Sequence, residues 1–313
     1  MDNYLPVLIT AFVRDIKTLE LFEKLALLGT TRIYLSVDKG RNSREHDLQK
    51  SLINQIEILG AKYKIDLKIR VEPRNQGLAV AVINALDWFF EQEGFGVILE
   101  DDLLPSEQFF DFCLKNREVI EFDDSCLLIS GNSFGSNTEI LEPSFVSYPL
   151  IWGWATTKQK WQQIKSEITL RNSFSWKVFS HPGKLGYFLT GLLRSRKGRI
   201  DSWAVPLASR MYLGNFKCLI PPSNLVANNG DDENSTHSNS SDWTLNHPVQ
   251  YLREAKYYVP KVRYSSDQSL IIERTIYGIR WYHAFSPVYA FFFDRFRKFE
   301  TRLPLLDRLR LSK

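Results

Sequence analysis

The sequence predicts an α/β protein, with a mostly parallel central sheet flanked by helices. Two observations carry this. From Tyr4 to Glu100, short apolar runs alternate with stretches of helical amphipathic period. The apolar runs are also nearly continuous, as expected of parallel strands covered on both faces. "YLPVLITAF" reads as the first strand, "DIKTLELFEKLALL" as a helix and "TRIYLSVDKG" as the second strand. The pattern continues through helical "SREHDLQKSLINQIEIL", strand-like "DLKIRVEP", helical "GLAVAVINALDWFFEQ" and the strand "FGVILE". Sheets of this kind bind ligands at the carboxyl ends of their strands, where "VRD", "VDKGR", "EPRNQG" and "EDD" would gather.

Beyond Ser125 the alternation fades. "SCLLISGNS" reads as a further strand, and "SYPLIWGWATTKQKW" as an aromatic loop leading into a helix. "NLVANNGDDENSTHSNSSDWT" is polar and turn-rich, and reads as a mobile loop. Three segments result: residues 1–125, residues 126–260 continuous with them, and a basic, aromatic-rich C-terminal extension over residues 261–313.

With 40 Lys and Arg against 36 Asp and Glu, the formal charge of +4 argues against a nucleic-acid partner. Cys113, Cys126 and Cys218 show no paired spacing, which suggests reduced thiols and a cytoplasmic setting. No basic segment precedes the first apolar run, so the N-terminus reads as a strand and not as a secretory signal. No apolar run reaches the roughly 20 residues of a spanning helix.

"VILEDDLLPS" places Glu100, Asp101 and Asp102 at the end of a buried strand. Adjacent carboxylates repel and are costly to desolvate, so something must offset them. A divalent cation would do so. Solvation in a turn, or capping of the helix suggested by "SEQFFDFCLKNREVIEF", would do so too.

At "VILEDDLLPSEQFFDF", with the Trp-Gly-Trp loop and the later acid in "GRIDSWA", the sequence resembles GT-A fold glycosyltransferases. It is most similar to the inverting N-acetylglucosaminyltransferase family with a Glu-Asp-Asp metal motif, as a bacterial-type relative. The resemblance spans roughly Pro6 to His237. It implies a GT-A nucleotide-diphospho-sugar transferase fold whose first 125 residues bind the nucleotide sugar and whose next segment faces the acceptor. It also implies transfer of a sugar from a UDP-sugar, with UDP-GlcNAc one candidate, to a glycan or lipid-linked acceptor. Asp102 would then hold Mn²⁺ (or Mg²⁺), Asp101 would contact the ribose or sugar, and Glu100 the donor sugar. A hard cation bound through one carboxylate takes its remaining ligands from the diphosphate and water.

By the same resemblance Arg14 would contact the base or phosphate, and Asp38 would accept from the uracil imide. Both could equally be surface loop residues. "RNQGLA" places Arg74 and Asn75 at the start of a helix whose free N–H groups suit a phosphate, with N-capping by Asn75 the plainer alternative. Trp152 and Trp154 offer indole faces for a sugar or for the core, and Trp154 is taken as the donor-side contact. Asp201 is the candidate general base, or else a helix N-cap. His237 in "NNGDDENSTH" would meet the metal or a phosphate, and Asp231, Asp232 and Glu233 in that loop are alternative acids.

Two other classes compete. A sugar-nucleotide nucleotidyltransferase shares the plan but usually carries a glycine-rich loop after the first strand, which "ITAFVRDIKT" lacks. A non-catalytic protein that binds sugar or membrane is the other. The tail interleaves Trp281, Tyr282, Phe285, Phe291, Phe292, Phe293, Phe296 and Phe299 with Arg and Lys. That composition suits peripheral contact with the inner face of a membrane, or packing on the protein.

Overall fold

A computed structural model of the chain describes residues 5–134, 141–169, 180–229, 249 and 255–287. Strands β1 (Val7–Ala11), β2 (Arg32–Val37), β3 (Asp66–Val71) and β4 (Phe95–Glu100) alternate with helices α1 (Asp15–Leu27), α2 (Ser43–Tyr63) and α3 (Leu78–Gln92). After β5 (Leu103–Pro105) come α4 (Glu107–Lys115), α5 (Arg117–Phe122), β6 (Cys126–Ser130), β7 (Ser144–Val146), β8 (Trp154–Thr157) and α6 (Lys158–Thr169). The remaining elements are α7 (Pro182–Arg196), α8 (Ala204–Gly214), β9 (Lys217–Ile220), β10 (Val226–Asn228), β11 (Arg263–Tyr264), α9 (Ser266–Thr275) and a 3₁₀ turn at Trp281–Phe285.

The main sheet has the order β11-β7-β9-β6-β8-β4-β1-β2-β3. The pairs β4–β1, β1–β2 and β2–β3 are parallel, so the carboxyl ends of β1 to β4 share one edge. β8 lies antiparallel between β4 and β6, which brings residues 152–153 to that same edge. The sheet is therefore mostly parallel and covered by helices, as expected, and strands from before and after Ser125 lie in it side by side.

Alternation along each strand divides the interior. Val7, Ile9 and Ala11 of β1 join Val97 and Leu99 of β4 in one core, completed by Leu21 and Phe22 of α1 and Phe109 and Phe112 of α4. Leu8, Tyr34 and Ile98 face the other core with Val82, Leu86 and Phe89 of α3 and Leu207 and Met211 of α8. Each strand loses side chains to both layers, which accounts for the unbroken apolar runs.

Several local readings need correction. The expected single helix after the acids breaks at Asn116, which is fully buried; its Nδ2 donates to the carbonyls of Phe112 and Tyr257, both at 2.9 Å. A side-chain amide that can bond backbone groups offers an alternative to helix continuation. "LLP" and "VAN" pair antiparallel as β5 and β10, so the start of the segment read as a mobile loop is a strand. "WATT" is a strand as well, too short to show a period. Cys113, Cys126 and Cys218 are free and buried, consistent with reduced thiols.

Candidate functional site

The connection from β1 passes to β2 on one side, while β4 lies on the other. The helix that leaves β1 (α1) and the helix that enters β4 (α3) cover opposite faces, so the strand order reverses here, the point at which sheets of this kind carry a crevice at their carboxyl ends. The crevice between β1 and β4 holds the acids. Arg14, directly ahead of α1, directs Nη1 at Asp101 Oδ1 (3.4 Å) and makes a close ion pair with Asp102 Oδ2. Sequence placed these residues in separate motifs 87 and 88 positions apart. The sheet brings them together.

Burial, reinforced by Asp102 and Asp101, pushes Glu100 up to about 8. Burial and Asp102 likewise push Asp101 up to about 7, against the pull of Arg14. Three carboxylates cannot all ionise cheaply here with a single guanidinium beside them. Positive charge from a ligand would relieve the strain.

Asp102 is also tied through its backbone. Its carbonyl accepts from Asn229 N at 2.8 Å, directly after β10, and Lys17 Nζ donates to the Asn229 carbonyl. Asp231, Asp232, Glu233 and His237 lie outside the described residues.

The N-terminus of α3 departs most from expectation. Four successive N–H groups, Gln76 to Ala79, are already taken by two aspartates from distant parts of the chain. Asp38, which is 8% exposed, accepts from Gln76 N (2.8 Å), Gly77 N (3.2 Å), Lys39 N (2.9 Å) and Asn75 Nδ2 (3.2 Å). Asp201 accepts from Leu78 N and Ala79 N, both at 2.9 Å. The expected free phosphate cradle is therefore occupied by carboxylates, which serve the helix dipole as an anion would.

Three roles change in consequence. Asp38 has four internal donors, so it anchors the loop after β3 and leaves little capacity for a uracil imide. Asn75 does not cap α3; its Nδ2 bonds the Lys39 carbonyl at 2.7 Å and reaches Asp38. Asp201 caps α3 and not its own following helix, whose N-cap is Trp203. Gly77 makes this possible: its φ is +78°, and a Cβ there would lie 2.9 Å from Asp201 Oδ2. Arg74 is exposed beside this junction.

Trp154 is 1% exposed and stacks on Trp203 at 5.6 Å between ring centroids, so it is a core residue and not a sugar contact. Trp152, two residues earlier, is half-buried, and its carbonyl accepts from Asn132 Nδ2 at 2.8 Å. Of the pair, Trp152 has the free surface. The sequence offered no means of ranking them before the register of β8 was known.

Among the described residues no group of three or more His, Cys, Asp or Glu side chains is arranged to hold a metal by itself. Asp101 and Asp102 nevertheless direct hard oxygen donors at one point, now served by Arg14 Nη1. That donor set fits a divalent cation taking most of its ligands from a bound diphosphate.

No family profile matches the chain, and no curated protein matches it in sequence. Among solved structures, a UDP-glucose pyrophosphorylase complexed with UDP-glucose is similar over 69% of this chain and 89% of its own, with 10% identity and a TM-score of 0.36. HddC from Yersinia pseudotuberculosis, complexed with GMP-PN, is similar over 50% and 77% respectively, with 14% identity and a TM-score of 0.29. A 4-diphosphocytidyl-2C-methyl-D-erythritol synthase from Anaerococcus prevotii is similar over 55% and 81%, with 10% identity and a TM-score of 0.33. Likeness of this degree assigns no activity to the chain.

Proposed function

We propose that the protein is a metal-dependent glycosyltransferase that moves a sugar from a UDP-sugar to an acceptor hydroxyl with inversion, in the cytoplasm. The observation that supports this reading is the convergence of Glu100, Asp101, Asp102 and Arg14 in the crevice between β1 and β4. In the proposal Asp102 holds Mn²⁺ or Mg²⁺, which would neutralise charge on the leaving diphosphate. Arg14, freed from Asp102 by the cation, turns to the diphosphate. Glu100 is assigned a hydroxyl of the donor sugar. His237, outside the described residues, is assigned to the metal or a phosphate.

Asp201 is assigned the proton of the acceptor hydroxyl in addition to its capping of α3. It is exposed, and the preceding Ile200 lines a large cavity. A carboxylate held by two backbone donors is fixed in place, which is what a positioned base requires.

The nucleotidyltransferase alternative draws no support from the connection between β1 and α1. Residues 12–14 are Phe, Val and Arg without a glycine, and the arginine side chain fills the crevice. A donor screen for Mn²⁺-dependent hydrolysis of sugar nucleotides tests the reading. Release of UDP from one UDP-sugar, with no pyrophosphate formed from UTP and a sugar phosphate, is the expected result. The reverse pattern would overturn it.

A further inference from the structure

A large cavity lies apart from the acids, none of which lines it. Its volume is about 630 Å³, and its described lining includes Trp152, Tyr187, Phe188, Val205, Ile276 and Tyr277. Two lining residues connect it to the proposed chemistry: Ile200 precedes Asp201, and Trp152 precedes Gly153, whose built Cβ would lie 3.3 Å from Leu99 at the end of β4. Among the described lining residues the cationic or basic side chains are Arg194 and His283, and no carboxylate lines it. The buried Oγ1 of Thr190, another lining residue, has no hydrogen-bond partner among the described residues. The lining thus suits a ligand with an apolar body and an anionic oxygen group.

An independent feature says where such a ligand would come from. His283 and Ser286 reach the cavity from the 3₁₀ turn and its end, and the same turn exposes Trp281 (77%), Tyr282 (54%) and Phe285 (65%). Aromatic side chains with polar tips favour the boundary between water and lipid. The turn lies directly on α7, where Cβ atoms at Gly183 and Gly186 would meet its backbone at 2.8 Å and 2.0 Å. The exposed rings are therefore fixed next to the cavity.

We propose that the cavity binds the chain of a membrane lipid that carries a phosphate, with Arg194 and His283 answering the phosphate. The exposed turn rests on the bilayer that supplies the lipid. That this lipid is the sugar acceptor rests on the glycosyltransferase reading; that it binds does not.

The test uses the full chain without UDP and titrates dodecyl phosphate below its micelle concentration by calorimetry, with dodecyl maltoside and inorganic phosphate as comparators. Dodecyl phosphate should bind at least about tenfold more tightly than either, and Val205→Phe and Arg194→Gln should each weaken it about tenfold. Far-UV circular dichroism and melting confirm that the variants fold, and Arg194→Gln alone decides should Val205→Phe be unstable. Equal binding of either comparator, or undiminished binding by the folded variants, would overturn the assignment. In a second arm, vesicles of phosphatidylcholine and phosphatidic acid should sediment the parent but not a variant with Trp281, Tyr282 and Phe285 changed to serine. Equal sedimentation would remove the membrane contact. Loss of Mn²⁺-dependent UDP binding, measured separately, would defeat the nucleotide-sugar reading and leave these results untouched.

Discussion

Asp38 and Asp201 lie 163 positions apart in sequence and divide one task, the satisfaction of four N–H groups at the start of α3. Asp38 was legible as a loop residue after an apolar strand, and Asp201 through the resemblance at "GRIDSWA". Their shared target was not legible, since it depends on how the strands are ordered in the sheet. A test separates the two roles given to Asp201. Asp201→Asn keeps an acceptor oxygen for α3, whereas Asp201→Ala loses the cap and should cost about 1 kcal/mol. If Asp201 is the base, both variants should lose transfer by about 10²-fold or more. Near-parental transfer in Asp201→Asn would leave only the structural role.

The acids make a second prediction at this scale. Glu100 and Asp101 have folded-state values of about 8 and about 7, while in the unfolded chain they release protons near ordinary carboxylate values. Between those limits the folded state binds more protons, so this contribution to stability is full below the ordinary carboxylate range and is lost progressively as the pH rises from there through 7 and 8. Without divalent cations, the melting temperature of the parent should fall relative to that of Glu100→Gln as pH rises from about 5.5 to about 8. Parallel curves would show that Glu100 titrates normally.

Among the elements, α3 depends on a glycine that no side chain can replace without strain. Alanine at Gly77 would meet both a positive φ and Asp201 Oδ2 at 2.9 Å. Gly77→Ala should destabilise the protein by about 1–3 kcal/mol in chemical denaturation. A change within experimental error would mean that Asp201 does not sit on the helix. Of the elements that sequence reading missed, strands β5, β7, β8 and β10 are three or four residues long, whereas helices α7 and α9 run to 15 and 10 residues. Such strands hold too few residues for a period, and partners distant in the chain define them. Helices α1, α2 and α3 and the first four strands were legible because each spans at least one full repeat of its own pattern.

For the whole molecule, the order of the sheet is what turns scattered motifs into a site. β1 and β4 are neighbours in space but are separated in sequence by three helices and two strands, and their adjacency at the reversal of strand order places Arg14 beside the acids. Sequence reading placed the acids at the correct edge because alternating strands and helices make a parallel sheet, whose loops share ends. It could not show that Trp154 is fully buried and Trp152 only half-buried, or that carboxylates already fill the helix terminus. The central claim is that the crevice binds a uridine diphosphate through a cation held by Asp102. Calorimetric titration of UDP with and without Mn²⁺, on the parent and on Asp102→Asn, tests it most directly. The account predicts UDP binding to the parent that needs Mn²⁺ and is lost in Asp102→Asn, whose neutral amide is a poor ligand for a hard cation. UDP affinity that is indifferent to Mn²⁺, or unchanged in Asp102→Asn, would contradict it.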